Sequence, residues 1–198
     1  MDEFMKFEDC KNLSSKICFV IVDKLGWKIT KFPDELRNES FIWIAYPHTS
    51  NWDTFFGFLS LTLLQVNFYI VVKDFYSKLI FKPLNYIAHL LPIKRDKSAI
   101  SVINDKIKAT KSCIVMVPEG TRHKTTGWKA GFHIFAKKHN MRILPTYVCY
   151  ERKLLKHCSP IMVEKTAEQT IAKCKEIYEI EKPMGKYPEL ASPIKLFE

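Results

Sequence analysis

Short apolar runs separated by helix-length segments constrain this chain more than any other feature. Residues 41–46, 68–72, 91–93, 113–117 and 142–150 are brief, rich in aromatic and β-branched side chains, and flanked by loop residues. Each reads as a buried strand. Between and after them, 54–64, 75–90, 98–110, 130–139 and 167–180 carry apolar residues at helical spacing, with an interruption expected near Pro83. Strands alternating with helices predict an α/β fold: a single domain with a mixed, largely parallel sheet flanked by helices. Pro145 lacks an amide hydrogen for a ladder and predicts an edge or irregular position in the last strand.

The length of 198 residues fits one domain. A net charge of +10, from 31 basic and 21 acidic side chains, favours polyanions such as phospholipid headgroups, phosphorylated ligands or nucleic acid. The six cysteines form no C-x-x-C pair, so no structural metal is expected on them. The acidic opening, with Asp2, Glu3, Glu8 and Asp9, lacks the form of a secretory signal. The thiols are therefore expected reduced, with Cys18 and Cys113 as small core residues. The uncharged stretch between Asp53 and Lys73 is nearly long enough to span a bilayer. Ser60, Thr62, Gln65 and Asn67 interrupt it, which favours helix, turn and strand instead.

Residues 1–30 form a distinct N-terminal region. Leu13, Ile17, Val20, Ile21 and Leu25 recur at helical intervals among Lys11, Lys16, Lys24 and Lys28. Such an amphipathic helix serves equally to rest on a membrane surface or to pack on a core. Residues 31–182 form the main domain. Residues 183–198, with Pro183, Pro188 and Pro193, predict an extended tail over the surface.

Two motifs follow strand-like runs. In the first, His48 precedes Asp53 by five residues. Histidine removes a hydroxyl proton near neutral pH, and a carboxylate on its other ring nitrogen fixes the tautomer. Asp53 has an alternative role as a helix cap, and this spacing alone arises by chance in roughly one chain in five. The second motif, Glu119-Gly120-Thr121-Arg122, would arise by chance in about one chain in several hundred. Its glycine permits a tight turn whose amides and threonine face an anion, while the arginine clamps it. Glu119 is expected to orient that arginine or a substrate hydroxyl. Arg95, after the 91–93 strand, is a candidate second cation. Lys129 and Gly131, opening the next helix, are candidates for a further anion contact. Both motifs at strand C-termini point to one ligand site.

These blocks, in this order, resemble the glycerolipid acyltransferase family typified by 1-acylglycerol-3-phosphate acyltransferase. The counterparts are His48 to Asp53, Ile93 to Arg95, Val117 to Arg122, and the Pro145-containing stretch 143–148, together covering about residues 40–150. The resemblance implies a glycerol-3-phosphate acyltransferase-like fold. It implies acyl transfer from acyl-CoA or acyl-carrier protein, as co-substrates, to a lysophospholipid hydroxyl, with no bound cofactor. It assigns His48 as general base and Asp53 as its orienting partner. Arg95, Glu119, Gly120, Thr121 and Arg122 would bind the acceptor phosphate, and the helix after Asp53 would help form an acyl-chain tunnel. Pro47 stands where the family has asparagine, and His123 where it often has serine or threonine, both near the acceptor.

The implied setting is peripheral, on the cytoplasmic face of an anionic membrane, reached through the N-terminal helix and a basic surface including Lys137, Lys138, Arg142, Arg152, Lys153 and Lys156. Two rival readings are a catalytically silent lipid-binding protein of the same fold and a nucleic-acid-binding protein. The second lacks any reading motif, since the aromatics fall within apolar runs.

Overall fold

Strand β2 (Phe41–Ala45) shows why both faces of the sheet are covered. Successive side chains on a strand point to opposite faces, and here every residue is apolar and buried. Phe41, Trp43 and Ala45 pack with Leu61 and Leu64 on one side. Ile42 and Ile44 pack with Phe132, Phe135, Ile171, Cys174 and Tyr178 on the other. Burial on both faces marks a parallel-type sheet sandwiched between helices.

The structure is a computed structural model that describes residues 3–73, 89–93 and 111–197, with 72–73 and 89–93 as backbone alone. Its other strands are β1 (Lys28–Ile29), β3 (Phe68–Lys73), β4 (His89–Ile93), β5 (Cys113–Met116), β6 (Arg142–Cys149) and β7 (Leu154–His157). The described helices are α1 (Leu13–Lys24), α2 (Asn51–Leu64), α3 (Gly131–His139) and α4 (Ala167–Glu181). The sheet runs β1-β7-β6-β2-β5-β3-β4. All neighbours are parallel except β6 and β7. The α/β architecture and the largely parallel sheet are as the sequence predicts. β4 starts at His89, inside the segment read as helix, while the remainder of 75–88, the 98–110 helix and Arg95 lie outside the described residues.

Pro145 sits in an interior strand, not at an edge. Its strand pairs with β2 on one side, where Pro145 lies opposite Ile44. On the other side, Thr146 pairs with His157, whereas Ile143 bridges to Ile161, so the pairing slips by one residue between them. Pro145 occupies that slip. Its carbonyl accepts from the Cys158 amide at 2.9 Å, and its missing amide hydrogen falls where the ladder is already broken. Position in the sheet and local irregularity are thus separate properties, and proline requires only the second.

The uncharged stretch folds as helix α2, a turn through Gln65 in the left-handed region, and β3. Among the described residues no helix is long and apolar enough to cross a membrane. The inward face of α2 is filled: Phe56 stacks on Trp27 with ring centroids 3.8 Å apart, and Leu59 and Leu63 join the same cluster. These side chains pack against protein. Helix α1 packs on α2 through Ser15, Cys18 and Val22 but leaves Leu13, Ile17 and Val20 exposed. Those three lie one above another on one face, because residues three and four apart share a helical face.

All six cysteines are free and buried. The expected basic surface is partly neutralised, since Arg142 pairs with Glu35 and Glu39, and Lys156 with Glu181 and Glu3.

Candidate active site

Strands β6, β2 and β5 are adjacent and parallel, so their C-terminal ends open on the same side of the sheet. The His48 loop follows β2, the Glu119 loop follows β5, and Tyr150 follows β6. Residues distant in sequence meet here because the topology stacks their strands.

Helix α2 begins with a capping box. The Ser50 hydroxyl accepts from the Trp52 amide at 3.3 Å, and Asp53 Oδ2 accepts from the Ser50 amide at 2.8 Å. The same oxygen accepts from the Thr49 amide at 2.7 Å and lies 3.3 Å from His48 Nδ1. Oδ1 accepts from the Tyr150 hydroxyl at 2.6 Å. The helix cap and the histidine partner are therefore one buried carboxylate, held by donors on every side and by the positive end of α2. Burial and this bond to Asp53 push the Tyr150 hydroxyl well above its ordinary range, so it remains a donor. His48 itself is only partly buried. With Nδ1 committed to Asp53, Nε2 is the ring atom left to exchange a proton with a ligand.

The second motif forms a turn in which the Gly120 amide donates to the Val117 carbonyl at 3.0 Å. Gly120 has φ +64°, a left-handed conformation that side chains with a Cβ rarely adopt. A Cβ there would lie 3.1 Å from Lys129 Nζ, so the lysine side chain already covers the turn. Lys129 is further fixed by its amide, which donates to the Pro118 carbonyl at 2.9 Å. Thr121 Oγ1 accepts from the His123 amide at 3.3 Å, and Arg122 is partly exposed on the same loop.

Glu119 takes up partners that the sequence does not reveal. It is buried, with one carboxylate oxygen accepting from the His48 amide at 2.7 Å and the other from the Ser192 amide at 2.9 Å. This carboxylate ties three chain segments together. Burial raises its pKa, opposed by the Ser192 and His48 amides. Nearby, burial and the Glu119 charge push the Tyr46 hydroxyl up to about 12.

The structure thus brings His48, Asp53, Glu119, Gly120, Thr121, Arg122 and Lys129 into two bonded loops, while Arg95 lies outside the described residues. Among the described residues no group of histidine, cysteine, aspartate and glutamate side chains is arranged to hold a metal. Tyr150, Thr49 and Ser192 were not anticipated as part of this network. A tyrosine closing an apolar run reads as core, and a tail serine carries no signal at all.

The family model described as Acyltransferase matches residues 30–149. The match spans more than half of the chain and both motifs. This chain belongs to the acyltransferase family. No curated protein matches. Among solved structures, the fold is similar to that of the 1-acyl-sn-glycerophosphate (LPA) acyltransferase PlsC from Thermotoga maritima. That similarity has a TM-score of 0.58 at 16% identity and covers 87% of this chain and 80% of that one. The acyltransferase match ends at residue 149, so Tyr150, α4 and the Ser192 segment fall beyond it.

Proposed function

We propose that this acyltransferase moves a fatty acyl group from acyl-CoA or acyl-carrier protein to the hydroxyl of a lysophospholipid, 1-acylglycerol-3-phosphate, in phospholipid biosynthesis. One observation carries the reading. The ring of His48 rests on Asp53 while the amide of the same residue is held by Glu119 of the arginine-bearing loop, so base and anion loop form a single site.

In this mechanism the acceptor hydroxyl gives its proton to His48 Nε2 as its oxygen attacks the thioester carbonyl carbon. Asp53 steadies the imidazolium. The tetrahedral intermediate collapses, the C–S bond breaks, and the departing thiolate takes the proton from the imidazolium. The oxygen ester forms without an acyl-enzyme. The acceptor phosphate is held by Arg122, Thr121 and the amides of the Gly120 turn, with Lys129 and Arg95 as further cations. The exposed row Leu13, Ile17 and Val20, flanked by Lys16 and Lys24, rests on the anionic cytoplasmic face of a membrane.

The test is acyl transfer to lysophosphatidic acid, followed by mass spectrometry, with acyl-CoA and acyl-carrier protein donors. His48→Ala is expected to lower kcat by roughly 10²–10⁴-fold, the usual contribution of a general base, with vesicle binding intact. If the unmutated protein binds lysolipid but transfers no acyl group across a panel of acceptors, the protein is a silent binder and the proposed reaction is wrong.

A further inference from the structure

The C-terminal segment crosses both loops of the site. The Tyr150 amide donates to the Met184 carbonyl at 2.9 Å, beside the Asp53 contact. Gly185 is buried against the His48 loop, where a Cβ would meet Thr49 Oγ1 at 2.7 Å and Pro47 Cγ at 3.0 Å. The Tyr187 amide lies 3.3 Å from Thr49 Oγ1, to which it donates. Further on, Ser192 is buried, its amide donates to Glu119, and its carbonyl accepts from the Tyr46 hydroxyl at 3.1 Å. Ser192 Oγ accepts from the Thr125 amide at 3.1 Å. The Trp128 amide then donates to the Lys195 carbonyl at 2.7 Å.

From these contacts we infer that residues 184–192 are a strap that positions the reaction centre: Gly185 and Ser192 set the His48 loop and Glu119 relative to each other. Neither residue touches the reacting atoms. They are positioning residues for the reaction proposed above, and the inference rests on that reading. The reason is economy of contact. Glu119 has two carboxylate oxygens, one on the His48 amide and one on the strap, so the rotamer that holds His48 is fixed from the strap side. Gly185 allows the strap to approach the His48 loop more closely than any residue with a Cβ. A misplacement of about 1 Å at a reacting group costs on the order of 10²-fold in rate. A single added methyl at Gly185 must displace either the strap or Thr49 by several tenths of an ångström, because side-chain contacts this short do not persist.

Gly185→Ala in the full chain is expected to lower kcat per folded molecule by about 10–100-fold, with the donor KM unchanged. Thr49→Ala removes two of the three atoms the new methyl meets, the nearest among them, and leaves Pro47 Cγ at 3.0 Å, so the double variant should recover part of the loss, about fivefold over Gly185→Ala, as expected for sites in contact. A second readout does not depend on activity. The His48 amide proton, bonded to a carboxylate, should shift in NMR spectra of Gly185→Ala and of Ser192→Pro, which deletes the strap's amide donor. If Ser192→Pro does not fold, Gly185→Ala decides alone. An unchanged kcat together with an unmoved His48 amide in folded Gly185→Ala overturns the strap, as does a double variant no faster than the single. If the unmutated protein transfers no acyl group, the proposed reaction fails while the amide shift still judges the strap.

Discussion

His157 sets a pH limit on this fold that can be worked through in full. The residue closes β7 and is buried between β1 and α2. Its Nδ1 lies 3.0 Å from the Thr30 hydroxyl and 3.2 Å from the Thr30 carbonyl, and in the tautomer with the hydrogen on Nδ1 the carbonyl accepts it. In that tautomer Nε2 accepts from the Ser60 hydroxyl, 3.2 Å away. Protonating the ring would reverse the Ser60 contact and place a charge in a dry interior. Burial accordingly lowers the pKa from 6.5 to about 4, opposed only by the Thr30 carbonyl bond. Between those two values the unfolded chain binds a proton and the folded chain does not. Stability from this group is therefore complete above pH 6.5, falls away as pH drops below that value, and is fully lost by about pH 4. The full loss is about 3 kcal/mol, of which about 2 kcal/mol has gone by pH 5. That is a large share of the roughly 5–15 kcal/mol holding a typical domain together.

Urea unfolding between pH 7.5 and 4.5 measures this directly, with His157→Asn as the comparison. Asparagine keeps an amide hydrogen for the Thr30 carbonyl but cannot take a proton in this range. The variant should be less stable at pH 7 by about 1–3 kcal/mol for the lost Ser60 partner, yet flatter as pH falls. His133, also lowered by burial, contributes in the same direction in both proteins and cancels in the difference. Equal losses between pH 7 and 5 in the two proteins would refute the reasoning.

Two further outcomes follow from the site and its surroundings. Tyr150→Phe removes the 2.6 Å bond to buried Asp53 and should cost about 1.5–3 kcal/mol in urea unfolding, with kcat lowered and the donor KM unchanged; unchanged stability would mean that the remaining donors to Asp53 suffice. Replacing Leu13, Ile17 and Val20 by serine should weaken co-sedimentation with anionic vesicles while leaving the melting temperature within a few degrees, because all three side chains are already exposed; unchanged sedimentation would remove this helix face from the membrane contact.

The alternation of apolar runs and helical segments was enough to read the sandwich, since a strand buried on both faces must be apolar throughout and needs helices to cover it. β1 and β7 were invisible for the opposite reason. Lys28–Ile29 is too short to show a period, and Leu154–His157 mixes a lysine and a histidine whose burial depends on partners elsewhere. The antiparallel pairing of β7 with β6 has no local signature. Pro145 shows the same division: the residue dictates a gap in the ladder but not which strand of the sheet contains it.

At the site, the chemistry was local and its arrangement was not. The His48–Asp53 relation could be read from the sequence because five residues of turn bring the carboxylate of a capping box back to the ring. The tight turn at Gly120 was likewise written in the residue that permits it. What sequence alone determined was therefore each motif and the kind of strand that precedes it. Only the tertiary structure decided that β5 and β6 flank β2, that Glu119 spends its charge on two amides, and that Tyr150 and the strap complete the network. The bonds from Glu119 to the His48 and Ser192 amides and from Tyr150 to Asp53 join residues 71 to 97 positions apart. They depend on which strands lie side by side, a choice made by burial over the whole core and not by the residues that meet.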